Sequence, residues 1–295
     1  MHKSRTSKKT DTLAQLERIE NALRRPKSWG YHGVASTEYF DVVVRGPTSS
    51  EAFVIPRASP GAGWLDDFLK VCGMLGERNL NPRVIYFKQL HPDLPRRFAG
   101  IGLPQMTKSA IMTLTPEELT TPSGHDDGDF PSLGLAAKPV EKDDRFYLYD
   151  SAIGARTSAP VVVTPMMISG QDDCYFPVCK IDGEVAGFAR TAVLTDDRGL
   201  CTLYDACTAP AQRRNGMALG LCRSLLVEHF AAGTELVWSE CHTLAEATFC
   251  ARLGFRRVGV LMDSGPGSVK TITIDLPASL GHAASATNPV NPFKA

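Results

Sequence analysis

Residues 201–218 read CTLYDACTAPAQRRNGMA. Leu203, Tyr204 and the cysteines around them have the apolar, β-prone composition of a strand through Thr208, and Pro210 ends it. A basic segment follows, Arg213-Arg214-Asn215-Gly216-Met217-Ala218, and runs straight into a helical pattern. The first N–H groups of a helix have no partner inside the helix, and the helix dipole is positive at that end. A strand that brings those groups and two arginines to one turn is built to hold a phosphate.

Outward from this stretch the elements are legible. GMALGLCRSLLVEHFAAG (216–233) is a helix with Met217, Leu221, Cys222, Leu225 and Leu226 inward and Gly233 at its end. Upstream, CYFPVCKI (174–181) and EVAGFARTAVL (184–194) flank Asp182-Gly183, a strong hairpin signal, and LCTLYDACT (200–208) adds a third strand. Downstream, ELVWSECH (235–242) is the next strand. Thr243 to Glu246 form a capping box that opens a helix ending at Gly254. FRRVGVLM (255–262) and VKTITIDL (269–276) are the closing strands, while 146–167 is ambiguous.

The first part of the chain has a similar order. Residues 11–24, DTLAQLERIENALR, place Leu13, Leu16, Ile19 and Leu23 on one helical stripe. EYFDVVV (38–44) and EAFVIP (51–56) read as a hairpin, WLDDFLKVCGMLGE (64–77) as a helix, and RVIYF (83–87) as a buried strand. LPRRFAGIGL (94–103) reads as a short helix and SAIMTL (109–114) as one more strand. The expected organisation is a disordered tail at 1–10, an α/β domain at 11–118, and a linker at 119–145. A second α/β domain follows at 146–277, then a loose tail at 278–295. The linker, rich in Pro, Gly, Ser and Asp, reads equally as a long ordered loop. The repeated order of elements points to an internal duplication without residue identity to support it.

The 295 residues, 43% hydrophobic and 22% charged, have the composition of a soluble globular protein. A net charge of +0 argues against nucleic acid or acidic membranes as partners through overall electrostatics, but leaves room for a local basic site at Arg213 and Arg214. No apolar run is long enough to span a bilayer. MHKSRTSKKT has no apolar core behind it and reads as a solvated tail, a mitochondrial presequence being the other reading. The eight cysteines form no Cys-x-x-Cys pair, which suits reduced, buried thiols in a cytoplasmic protein and no metal site.

Residues 174–276 resemble the GNAT family of N-acetyltransferases. The family signature, Arg/Gln-x-x-Gly-x-Gly/Ala at a strand-to-helix turn, is matched by Arg213-x-x-Gly216-x-Ala218, with Pro210 six residues before the glycine. A second family feature, a small-residue helix ending in Gly-Phe, is matched by AEATFCARLGF, ending at Gly254-Phe255. The resemblance implies an α/β (α+β) fold in the C-terminal half, a mixed, mostly antiparallel sheet flanked by helices. The first unit shares only the order of elements. Its equivalent turn, Arg57-Ala-Ser-Pro-Gly61-Ala-Gly63-Trp64, keeps glycines but moves the arginine and inserts a proline. A tandem with a degenerate first half, as in mycothiol synthase-like proteins, is one reading and an unrelated α/β cap the other.

The resemblance implies acetyl-CoA, or another short acyl-CoA, as cosubstrate. Its pyrophosphate would lie on Arg213, Arg214, Asn215, Gly216, Met217 and Ala218, where a β-carbon at 216 would push phosphates away. Its pantetheine arm would take main-chain hydrogen bonds from Ala206, Cys207 and Thr208. Transfer to an amine needs a proton acceptor, for which Asp205, Glu240 and His242 are candidates, and a proton for the leaving thiolate. The family's usual acid, a tyrosine four residues before the glycine of Gly-Phe, is Cys250 here, and Tyr204 is a remote substitute. The expected partner is a small-molecule amine, and the expected state is monomer or homodimer. A module that binds acyl-CoA without turnover is the competing reading, motivated by Cys250.

Overall fold

The computed structural model describes residues 5–25, 31–45, 50–57, 61–103, 106–119, 146–148, 161–163, 174–175, 178–181, 184–194, 196–208 and 216–264. Several expectations lie outside them: the linker over 120–145, the Asp182-Gly183 turn, Pro210, Arg213 to Asn215, the strand over 269–276 and the tail from 278. The side chain of Asp205 lies outside them too.

In chain order the first elements are α1 (Arg5–Leu23), β1 (Tyr31–Ser36), β2 (Phe40–Arg45), β3 (Glu51–Pro56), α2 (Trp64–Gly76), β4 (Asn81–Phe87), α3 (Leu94–Gly100) and β5 (Thr107–Leu114). Then come β6 (Phe146–Leu148), β7 (Val161–Val163), β8 (Cys174–Tyr175), β9 (Val178–Ile181), β10 (Glu184–Leu194) and β11 (Asp197–Thr208). The last are α4 (Met217–Ala231), β12 (Leu236–Cys241), α5 (Leu244–Arg252) and β13 (Arg256–Asp263). They fall into two compact units, neither of them a continuous stretch of chain. One takes Met1–Ala22 and Ser109–Leu261; the other takes Leu23–Lys108 and Met262–Ala295.

In the larger unit the strand order is β13, β5, β12, β11, β10, with β8 and β9 along the far edge of β10. β10 pairs antiparallel with β8, β9 and β11, and β12 pairs antiparallel with β5, whereas β11 and β12 run parallel. Ile181 faces Glu184, the register a two-residue hairpin loop imposes. Leu221, Cys222, Leu225 and Leu226 of α4 pack with Leu203, Val237 and Cys241 of the sheet and with Cys250 and Leu253. Glu246 and Thr243 form the capping box the sequence predicts.

Two elements of this unit come from the start of the chain. α1 begins at Arg5, inside the stretch expected as a disordered tail. Once a turn has formed, each further residue adds a helical bond at little cost. The buried Leu16 and Ile19 and the ion pair of Asp11 with Arg256 (3.3 Å) hold that helix in place. Arg18 forks onto Asp197 (2.7 and 2.8 Å) and reaches Glu235 (3.0 Å). β5 was expected with the first unit, yet it pairs with β12. Ile111, Met112 and Leu114 are all buried, so the strand is apolar on both faces and takes an interior place in the sheet.

In the smaller unit the order is β1, β2, β3, β4, antiparallel except for the parallel pair β3 and β4. β1 is a strand the sequence did not announce, because YHGVAS has neither alternation nor a β-rich run. The core is aromatic: Phe40 lies 5.6 Å from Phe68, and Phe98 lies 5.3 Å from Phe68 and 5.5 Å from Trp64. Both halves of the chain run strand, helix, parallel strand, helix, strand: β3-α2-β4-α3-β5 and β11-α4-β12-α5-β13.

Candidate functional site

The site begins where two parallel strands part. β11 and β12 face each other at Leu200 and Leu236, Cys201 and Val237, and Thr202 and Trp238, and no further. Beyond that point β12 continues against β5, and β11 continues against β10 through Thr208. A bulge marks the divergence: Thr191 faces Leu203 while Arg190 faces Asp205, so Tyr204 is an extra residue. Such a bulge bends the strand and sharpens its twist. Beyond the fork, among the described residues, β10 is the strand that pairs with β11. Thr202 Oγ1, at the last facing pair, is buried without a hydrogen-bond partner among the described residues.

The start of α4 lies against the end of that strand. A β-carbon on Gly187 would fall 3.0 Å from Cys207 O, 3.3 Å from Thr208 Cγ2 and 3.3 Å from Met217 Sδ. A glycine in β10 leaves room for helix and strand to lie so close, and an isolated glycine inside a strand pattern is a signal the sequence offered. Gly216, the N-cap, has φ +79°. That left-handed conformation costs other residues about 1–2 kcal/mol, so the glycine is needed for its backbone as well as for room. Among the described residues no side chain caps α4, and no carboxylate lies in its first turn. The first helical bond runs from Gly220 N–H to Gly216 O, which leaves the preceding N–H groups outside the helix's own ladder. Main chain at Ala206, Cys207 and Thr208 is thus brought beside Gly216, Met217 and Ala218. An amide-bearing arm that ends in phosphates fits a strand end set beside a helix start.

The catalytic candidates are placed differently. Asp205 follows the bulge on β11. Glu240 lies on β12, past the fork, with its side chain 29% exposed. Cys250 is fully buried in the core, and Cys241 Sγ–H donates to its sulfur at 3.6 Å. The Cys241 thiol and burial together hold Cys250 far above the ordinary thiol range. It keeps its proton and has no path to solvent, which is the behaviour of a core residue rather than of a proton donor. Tyr204, on the bulge, has the Arg190 guanidinium 4.8 Å over its ring.

Two groups near the site were not singled out by the sequence. His229 on α4 is buried, bonded through Nε2 to Thr191 Oγ1 at 2.7 Å, and burial lowers its pKa. Ser109 on β5 lies 3.0 Å from His242 Nδ1. Neither had a sequence signal, since each is set by a partner distant in the chain. Among the described residues no group of three His, Cys, Asp or Glu is arranged to hold a metal ion, and no helix is long and apolar enough to cross a membrane.

The equivalent turn of the smaller unit is built otherwise. A β-carbon at Gly61 would overlap the Tyr39 hydroxyl, so this ring lies on the loop ahead of α2. Asp66 and Asp67 stand in the first turn of α2, and Asp67 accepts from Thr37 Oγ1 (2.6 Å) and Tyr39 N–H (2.8 Å). Arg57 is turned to Asp41 (3.6 Å) and to the Thr37 carbonyl (3.1 Å). The helix start that could meet an anion already carries its own negative charge.

Comparison with known proteins places these features. No curated protein matches the chain. A GCN5-related N-acetyltransferase from Kribbella flavida superposes with a TM-score of 0.58 at 11% identity, covering 84% of this chain and 94% of that one. The shared fold therefore extends beyond the C-terminal half. Two further structures align less closely, each with a TM-score of 0.48 and 12% identity. One is a GCN5-related N-acetyltransferase from Sphaerobacter thermophilus, covering 80% of this chain and 84% of that one. The other is a tandem GNAT protein from the clavulanic acid biosynthesis pathway, covering 77% and 79%. The fold is that of these acetyltransferase structures, and residues 142–255 match the model of the Acetyltransferase (GNAT) family.

Proposed function

We propose that the protein is an acyl-CoA-dependent N-acyltransferase, with acetyl-CoA as the donor, that passes its acyl group directly to the primary amine of a small molecule held in the same complex. The observation that carries this reading is the fork after Thr202 and Trp238, which opens β11 beside the start of α4. Main chain at Ala206 to Thr208 would hold the pantetheine arm. The segment from Arg213 to Ala218 would hold the pyrophosphate, aided by the dipole of α4. Bound acyl-CoA supplies the activated acyl carbon. The chain supplies the geometry of attack, a proton acceptor for the amine, and exclusion of water from the fork. With Cys250 enclosed, the leaving thiolate takes its proton from solvent or from Tyr204.

The tandem reading extends this proposal. The two halves repeat one order of elements, but Tyr39, Asp66 and Asp67 fill the turn of the first half. We read that half as having lost its cofactor site, so one acyl-CoA binds per chain. We read the protein as cytoplasmic, acting as a monomer or homodimer without nucleic acid or membrane.

Calorimetric titration with acetyl-CoA, followed by an amine panel with thiol release as the readout, tests the proposal. Binding of one acetyl-CoA per chain with turnover of at least one amine is the expected result. Absence of binding would overturn it. Binding without transfer to any amine would favour the second reading, a catalytically silent acyl-CoA sensor or scaffold, which the enclosed thiol of Cys250 supports.

A further inference from the structure

His242 follows the last residue of β12, past the fork from β11. Its ring and its backbone are both held. Nδ1 lies 3.0 Å from Ser109 Oγ and 3.8 Å from Glu240 Oε1. Its N–H donates to Glu246 Oε2 at 2.5 Å, the carboxylate that also closes the capping box of α5. Ser109 and Glu246 are each 3% exposed, so both anchors are fixed in the interior. The His242 side chain is 55% exposed, and no described residue bonds its Nε2.

Both ring contacts fall on the same nitrogen. A carboxylate can only accept, so Glu240 favours the tautomer with its proton on Nδ1, and Ser109 accepts equally well from it. The lone pair is then on Nε2, the nitrogen left open. This is not a nucleophile's relay, because serine and carboxylate share one nitrogen rather than flanking the ring, and Ser109 is buried. It is an arrangement that holds an imidazole by one edge and presents the other. Glu240 is the weaker base candidate, since its carboxylate is turned to the ring it helps to hold.

We propose that His242 takes the proton from the acceptor amine through Nε2, and that Ser109 and Glu240 are positioning residues that present this nitrogen. The proposal rests on the acyl-transfer reading above. The acceptor reaches the site as an ammonium ion and gives one proton to Nε2. The neutral nitrogen then bonds to the acyl carbon as the C–S bond breaks. The second proton of the amine goes to the CoA thiolate, leaving amide, free thiol and imidazolium. Among the described residues, the charged groups that touch His242 are Glu240 from β12 and Glu246 from α5, with neutral Ser109 from β5. The two carboxylates beside the base favour a positively charged acceptor.

The test uses the full chain. Long-range proton–nitrogen NMR of the histidine side chains reads the tautomer directly. We expect the wild type to carry its proton on Nδ1, and Ser109→Ala with Glu240→Gln to raise the Nε2–H form. A wild-type His242 with its proton on Nε2 overturns the proposal. Kinetics then use acetyl-CoA with phenethylamine and with hydroxylamine, which is already uncharged near neutral pH. His242→Gln should bind acetyl-CoA within about twofold of wild type. It should lose about 100-fold or more toward phenethylamine and far less toward hydroxylamine. Ser109→Ala should move the acid limb of the pH profile and leave acetyl-CoA affinity unchanged. Equal rates and pH profiles in His242→Gln and wild type overturn the proposal and leave the acyl-transfer reading standing. A wild type that binds no acetyl-CoA overturns that broader reading instead.

Discussion

Thr202 and Trp238 are the last facing residues of the parallel strands β11 and β12, and the hydroxyl of Thr202 is buried there without a partner among the described residues. A buried, unsatisfied hydroxyl costs stability, whereas valine has nearly the same shape and nothing to satisfy. Thr202→Val should therefore melt at the same temperature as wild type or higher. If the hydroxyl meets the cosubstrate arm, the same variant should bind acetyl-CoA several-fold more weakly. Paired thermal melts and calorimetry check both halves of this expectation.

Gly216 offers a sharper measurement. Its φ of +79° is open to glycine and strained for valine by about 1–2 kcal/mol. Gly216→Val should lose about tenfold or more in acetyl-CoA affinity through the shifted helix start, since 1.4 kcal/mol is a factor of ten. Circular dichroism should show the fold retained.

Cys250 distinguishes packing from proton transfer. Cys250→Ala should cost about 1 kcal/mol of stability, as removal of a buried group from a close-packed core does. Its turnover should match wild type. Cys250→Tyr restores the residue of the family pattern, yet the site is fully enclosed. Overpacking should destabilise that variant by about 3 kcal/mol without a gain in rate. Urea unfolding together with steady-state rates checks both.

His229 gives a pH dependence whose sign is fixed. Burial lowers its folded pKa, while the unfolded chain keeps a value of about 6.5. As the medium becomes acidic the unfolded state is protonated first. The stability contributed by neutral His229 is whole above about pH 6.5 and is lost as pH falls from there to the lower folded pKa. Urea midpoints measured across this window should fall less steeply for His229→Gln than for wild type.

The elements that sequence placed best are those whose signals are local. Strands 178–181 and 184–194 pair with Ile181 against Glu184, and the Thr243–Glu246 box caps α5 as written. Gly233 and Gly254 both take positive φ where a helix must end. What sequence could not place depends on distant partners. SAIMTL is plainly a strand, but period alone cannot say that it pairs with β12. Tyr204 becomes a bulge only because Thr191 and Arg190 count one residue where β11 counts two. Cys250 looks like a vacancy in a family pattern and proves to be the inside of a core. Ser109 gains its importance from a histidine 133 positions away.

The position of β5 also governs how the protein can be taken apart. A gene cut at the start of the recognisable acetyltransferase segment would encode every residue of the family match and still omit a strand of that sheet. β12 would then expose a bare edge from Cys241 to Val237, and Arg18 would no longer tie down Asp197 and Glu235. Bare edges invite other chains. The segment of the family match is therefore not the unit that folds, because a strand of its sheet lies upstream of it.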